Sequence, residues 1–278
     1  MENRGYPEWI NNVVLNALPS FSNLKDLSLS GLGQAFMSGT GLTGFDQLGN
    51  LQKLRLSGLD CVRDKLSDVS LNISKAVSRS PQLTTLDLSA PGADFSPIWN
   101  ILRTENIHIT DFTTSSVTHE MFRYFSSYSR LKRLRTLVYL SCIASEEGKW
   151  GFNPSNSGVL SHMPRLETLN TSVKMADLRQ NGETVELLLD AIPNLPSLAS
   201  IYFSPSRIRV SRTVHSSAFD AHYTEYSQRI QKIMRAYRSA VPLHLVVSQG
   251  RGGSNRNTNP MRKVSGGVMR RFLSPIRG

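Results

Sequence analysis

A short phrase recurs along this chain: leucine, two residues, leucine, one residue, leucine. It stands complete at Leu24-Leu27-Leu29, Leu51-Leu54-Leu56 and Leu83-Leu86-Leu88. Looser copies follow at Ile107-Ile109, Leu134-Leu137-Tyr139, Leu166-Leu169-Thr171 and Leu198-Ile201-Phe203. With Thr104 taken as the start of the fourth copy, the phrases begin at 24, 51, 83, 104, 134, 166 and 198, at intervals of 27, 32, 21, 30, 32 and 32 residues. Val241 to Val247, with Leu243 and Leu245, reads as an eighth, closing strand. In an extended segment alternate side chains share a face, so the fourth and sixth positions of the phrase point into one core. A single strand cannot bury that face; parallel strands stacked side by side can.

Between the phrases the apolar period changes from two to about 3.6. Val62, Leu66, Val69, Ile73 and Val77 form one stripe, and Val117, Met121, Tyr124, Phe125 and Tyr128 another. Val185, Leu188, Leu189 and Ile192 form a third, and Tyr226, Ile230, Ile233, Tyr237 and Val241 a fourth. Each stripe predicts an amphipathic helix. Breakers stand where turns are needed, among them Pro81, Pro91, Gly92, Pro154, Pro164, Pro193, Pro196 and Pro205. Strands alternating with helices imply parallel pairing and right-handed crossovers. The spacing lies near that of leucine-rich repeats. The expected fold is therefore an α/β leucine-rich-repeat solenoid, with a curved parallel sheet on the concave side and helices on the convex side. The competing fold is an ordinary α/β domain with leucine-rich strands. The ninth position of the repeat, where Asn or Cys commonly bonds the turn, holds Leu32, Leu59, Pro91, Phe112, Cys142, Lys174 and Ser206. Only Cys142 conforms, so the repeats are irregular.

Three segments follow from this reading: a capping helix over 1–23, seven or eight repeats over 24–247, and a tail over 248–278. At 39% hydrophobic residues the chain has enough apolar material for a core. The net charge of +11 is concentrated at one end. Seven basic residues and no acidic ones follow Ser248, which leaves 25 basic residues against 21 acidic ones in the first 247. The tail is rich in Gly, Ser, Asn and Arg, and its composition predicts disorder. Two cysteines, Cys61 and Cys142, make no disulfide framework and suit a reducing compartment. No apolar run spans a bilayer and no signal peptide is readable, so an intracellular protein, cytoplasmic or nuclear and without a membrane contact, is expected.

The stretch beginning at Phe95 (FSPIWNILRTENIHITDFTTSSVTHEMFRYFSSYSRL) and the stretch Trp150 to Leu189, with its GFNPSN and MPRLETL phrases, resemble the leucine-rich-repeat region of the F-box-like protein family of mushroom-forming fungi. The resemblance implies an F-box helix bundle near the N-terminus that recruits a ubiquitin-ligase adaptor, with the repeats selecting a substrate. Glu8 to Phe21 is one helical segment followed directly by the first repeat, and no F-box fits before Leu24. The expectation is a recognition protein of this type without its F-box, and an adaptor is not an expected partner.

No motif nominates chemistry. Gly31-Leu32-Gly33 follows a strand, but the third glycine of a dinucleotide-binding turn would fall at Phe36. The cysteines and the six scattered histidines have no metal-ligand spacing, so no catalytic residue, metal or cofactor is expected. The third, fifth and seventh positions of each phrase face away from the core. They comprise Asp26, Ser28, Ser30, Lys53, Arg55, Ser57, Thr85, Asp87, Ser89, His108, Thr110, Thr136, Val138, Thr168, Asn170, Ser172, Ser200, Tyr202 and Ser204. Arg and Tyr commonly carry interface energy, and concave faces are what solenoids bind with. Arg55, His108, Asn170 and Tyr202, with Lys53 and Asp87, are the candidate partner-binding residues. The expected function is a non-catalytic scaffold for a protein partner; the alternative is a nucleic-acid-associated protein that binds through the basic tail.

Overall fold

The computed structural model describes residues 16–30, 47–57, 66–89, 95–115, 117–128, 130–136, 152–154, 156–204, 216–237, 244–247 and 267–270. The chain forms two compact units, 1–131 and 132–278, so the segment read as one repeat domain is shared between them. Both are α/β.

The first unit holds β1 (Asp26–Ser30), β2 (Lys53–Ser57), α1 (Leu66–Ser78), β3 (Thr85–Ser89), α2 (Ser96–Thr104), β4 (Asp111–Thr114) and α3 (His119–Ser127). Its strands run in parallel in sequence order, with Leu27, Leu54, Leu86 and Phe112 in one register row. Leu54, Leu56, Leu86 and Leu88 are wholly buried, so the fourth and sixth positions do line a core. At about 25 cal/mol per Å² of apolar area, each such leucine contributes roughly 1.5–3 kcal/mol to the unit's stability.

A backbone ladder marks the rungs independently of side chains. The carbonyl of Lys25 accepts from Gln52 N (2.7 Å) and Lys53 N (3.0 Å). Gln52 O in turn accepts from Thr84 N and Thr85 N, and Thr84 O from Thr110 N and Asp111 N. Lys25, Gln52 and Thr84 all occupy the second position of the phrase, so Thr110 does too. The fourth phrase therefore begins at Ile109, with Phe112 and Thr114 inward, rather than at Thr104. Ile107 and Ile109, read as that strand's inward pair, are buried in the approach to β4.

That approach is shaped by the end of α2. Asn106 adopts φ 55°, a left-handed conformation that Asn tolerates better than most residues. Ile107 N then reaches Leu102 O (2.9 Å) and Asn106 N reaches Arg103 O (3.3 Å), closing the helix terminus. Thr118 caps α3, its hydroxyl oxygen accepting from Met121 N at 3.3 Å. The α3 stripe is buried as its period predicts: Met121, Tyr124 and Phe125 are within 1% of full burial. Trp99 of α2 meets the ring of Phe112 edge-on at 4.8 Å, joining helix and strand in one aromatic cluster. Tyr124 Oη accepts from Ile109 N (2.9 Å) and donates to Ile107 O, so two buried backbone groups of the bend before β4 are satisfied. Burial raises the Tyr124 pKa, which keeps that hydroxyl protonated.

The second unit holds β5 (Arg133–Thr136), β6 (Thr168–Ser172), α4 (Met175–Gln180), α5 (Glu183–Asp190), β7 (Ser200–Ser204), α6 (Ser216–Ala236), β8 (His244–Val247) and β9 (Gly267–Arg270). β5, β6 and β7 are parallel, with Leu134, Leu169 and Ile201 in register. The carbonyl ladder runs through Lys132, whose oxygen accepts from Glu167 N and Thr168 N, and on through Glu167 to Ala199 N. The fifth phrase thus begins at Leu131, three residues before the expected Leu134. Pro81, Pro164 and Pro196 each occupy the second position of a turn closed by a phrase leucine: Leu83 N to Ser80 O, Leu166 N to Met163 O, and Leu198 N to Leu195 O, at 3.0, 3.0 and 3.1 Å. The fixed φ of proline suits that place.

Two expectations for the chain ends change. A closing strand is present as β8, but it does not follow β7. Gly267–Arg270, within the tail expected to be disordered, pairs antiparallel with both β7 and β8 and lies between them. Of its residues only Val268 is of a strand-enriched type, too little to stand out from the tail's average composition. Of the capping helix, residues 1–15 lie outside the described residues; Leu18–Ser20 is a single tight turn with Leu18 buried. Cys61, Cys142, Val138 and the Gly31-Leu32-Gly33 turn also lie outside them.

Candidate functional site

The outward positions of the strands carry polar side chains in both units. In the first unit, Asp26, Lys53, Thr85 and Asp111 form one register row, and Ser28, Arg55, Asp87 and Thr113 the next. Asp26 Oδ2 accepts from Lys53 Nζ at 3.0 Å, and its Oδ1 accepts from Arg55 Nη1 at 3.4 Å. All three side chains are between 41% and 46% exposed, so these pairs orient the cations while contributing little stability. Arg55 also lies beside Asp87 in register, and Asp87 Oδ1 accepts from Ser89 Oγ at 2.8 Å. Lys53, Arg55 and Asp87 thus sit together on one face, as their spacing predicts.

In the second unit Arg135, Asn170 and Tyr202 are register neighbours on three successive strands, all half-buried, and Arg133 pairs with Thr168 in the adjoining row. Asn170 and Tyr202 are therefore brought together.

His108 is not on this face. It lies before β4, half-buried, its ring edge-on to Tyr128 at 4.8 Å. Burial, and next the positive charge of Arg130, lower its pKa, so it packs as a neutral ring. The outward residues of that strand are Asp111 and Thr113. Thr136, also read as outward, points inward: it is fully buried, and its Oγ1 lies 2.8 Å from Thr171 Oγ1. Arg133 and Arg135 take the outward places of β5. The signal for them was the phrase Leu131-x-x-Leu134-x-Thr136, with threonine in the sixth position as at Thr171.

Behind the face, polar contacts hold the second unit's helices. Arg179 Nε and Nη2 donate to both oxygens of Glu225 (3.0 and 2.8 Å), and Arg229 Nε adds a third bond at 2.9 Å. The bonds from Arg179, and next those from Arg229, hold the Glu225 carboxyl down to about 2. Tyr226 Oη accepts from Val173 N at 3.3 Å, tying α6 to the residue that follows β6. Among the described residues no group of three or more His, Cys, Asp or Glu is placed to hold a metal ion. Among them too, no helix is long and apolar enough to cross a membrane.

Fold and face together define a class: an α/β protein of parallel strands with buried leucine rows and a polar, mixed-charge outer surface. Comparison with protein-family models and with curated proteins matches none of them to this chain.

Proposed function

We propose that the chain is a leucine-rich-repeat protein that binds a protein partner on the outward strand face and catalyses no reaction, a recognition protein of the F-box-like type. The observation that carries this reading is the row Arg135, Asn170 and Tyr202 on successive strands, backed by inward rows that bury their apolar side chains completely. Such a face is stiff, since each rung is fixed by carbonyl bonds to the next, and a stiff array of long polar anchors loses little entropy on binding. The recurring second-position carbonyl and the turn prolines support the repeat reading, and the phrases from Phe95 and Trp150 support the family resemblance.

Affinity capture with mass spectrometry, comparing the native chain with an Arg55→Ala/Tyr202→Ala variant, tests it. Partners held by the native chain and lost from the variant support the reading. Identical partners on both would refute it.

A second reading, nucleic-acid association, is favoured by the seven basic residues after Ser248. Because Gly267–Arg270 pairs with β7, cutting the tail at 248 would also remove a strand. Replacing Arg251, Arg256, Arg262 and Lys263 with Ser keeps β9. Loss of nucleic-acid retention at low salt in that variant, with protein capture unchanged, would favour this second reading.

A further inference from the structure

We infer that the edge of β7 docks an extended segment of the protein partner, with β9 as a replaceable strap over that edge, an inference that rests on the protein-binding reading above. Three of the five residues of β7, Ile201, Tyr202 and Phe203, are of strand-enriched types, and all five are in parallel register with β6. On its other side β9 meets Ser200, Ile201 and Tyr202. β9 is Gly-Val-Met-Arg, with Val268 as its one strand-enriched residue and a glycine that brings no side chain to the sheet. The direction changes there too: β5, β6 and β7 run in parallel, whereas β9 is antiparallel to both β7 and β8. A further rung of the repeat would keep the parallel direction, so β9 covers the edge without continuing the series. A strong strand is closed by a weak one.

The register of β9 says what fits in its place. Met269 stands opposite Ile201, in the inward row of Leu134, Leu169 and Ile201. Val268 and Arg270 stand opposite Tyr202 and Ser200, in outward rows. An occupant therefore carries an apolar residue at its centre and places the two flanking residues on the outward face. A segment seated there lies beside Tyr202, continuous with the row Arg135, Asn170 and Tyr202. In strand addition the main-chain bonds to the edge supply affinity, and alternate side chains supply selectivity. Because β9 belongs to the same chain, it competes at a high effective concentration. A foreign segment gains the edge when its residues form a better strand or when the strap is released.

Fluorescence anisotropy with the full chain and its Val268→Pro variant tests the inference. Proline gives no N–H to a ladder and is not accommodated in a strand paired on both sides, so Val268→Pro expels β9. One probe is a labelled peptide of the chain's own sequence from Ser265 to Phe272; the other is that peptide with Val268→Pro. The first peptide should bind the variant chain at least about tenfold more tightly than the native chain, and the second should bind neither. Partner capture should rise in the Val268→Pro chain. If that chain fails to fold, amide hydrogen exchange of the native chain carries the test: Val268 to Arg270 should exchange at least about tenfold faster than Leu169 to Thr171 of β6. Equal protection of the two strands, equal peptide affinity for the two chains, or binding of the proline peptide would each overturn the inference. A native dimer that Val268→Pro dissolves would overturn it as well, giving the edge to β9 of a second copy. Partner capture abolished by Tyr202→Ala but unchanged by Val268→Pro, with no peptide bound, would overturn it while leaving the protein-binding reading intact.

Discussion

Gly182 separates α4 from α5, and replacing it with alanine should destabilise the second unit through two effects of known size. Its φ is +71°, where an L side chain is strained, at about 1 kcal/mol for alanine. A Cβ built there would also lie 2.2 Å from Ile233 Cδ1 and 2.9 Å from Ile233 Cγ1. Ile233 is only half-buried on α6, so it can move aside in part, which places the collision near the middle of the usual overpacking range of about 1–3 kcal/mol. Together the two give a loss of about 2–4 kcal/mol, the larger part depending on Ile233. Urea unfolding followed by far-ultraviolet circular dichroism reads it directly. Gly158→Ala is the control, because nothing lies within 4 Å of its added Cβ. That variant should stay within about 0.5 kcal/mol of the native chain. In an Ile233→Ala background the Gly182→Ala loss should shrink to about 1 kcal/mol, the backbone share alone. A loss matching that of Gly158→Ala, or one unchanged by removing Ile233, would refute the packing argument.

The buried hydroxyl pair gives a second prediction. Thr171→Val strands the Thr136 hydroxyl in the core and should cost about 1–3 kcal/mol in the same unfolding assay, whereas Thr136→Val leaves Thr171 Oγ1 its 3.5 Å bond to Ser172 O and should cost less. The double variant should cost less than the two losses added, because no unmatched partner remains; strict additivity would count against the pair. The acid response of α6 gives a third. Glu225 has its folded pKa depressed from 4.5 to about 2, so its contribution is complete above pH 4.5 and fades as pH falls toward 2. Thermal melts of Glu225→Gln should therefore lose less stability between pH 5 and pH 2 than melts of the native chain. Parallel curves would show that the Arg179–Glu225–Arg229 contacts do not couple to folding.

The parallel strands and the helices that follow them were legible because burial repeats at a fixed period. Where the sixth position is leucine, as at Leu29, Leu56 and Leu88, the phrase located its strand to the residue. α2 and α4 were not anticipated. α2 is nine residues long and α4 six, too short to show the two or three turns of periodicity that separate a helix from a chance apolar cluster. β9 was hidden for a different reason: its four residues sit in a segment whose average composition speaks for disorder, and pairing partners distant in sequence leave no local mark.

The candidate face was legible in most places where the register was, though Ser89 and Ser172, read as outward, are buried, and it was misread where the register slipped. In the fourth to sixth strands the sixth position is Thr114, Thr136 and Thr171, each fully buried. A pattern built on apolar residues finds Thr171 in its place but passes over Thr114 and Thr136 and anchors on hydrophobic residues nearby. The fourth phrase was consequently placed five residues early and the fifth three residues late. Both shifts are odd, and an odd shift on a strand exchanges its two faces. That single parity error put His108 and Thr136 outside, and it kept Arg133 and Arg135 out of the outward set. A buried threonine can stand in for leucine here because Thr136 and Thr171 meet each other, so neither desolvated hydroxyl is left alone. Reading threonine as an allowed core residue wherever its strand neighbour is also threonine restores the parity, and the paired arginines of β5 then emerge from the sequence as an outward cationic step beside Asn170 and Tyr202.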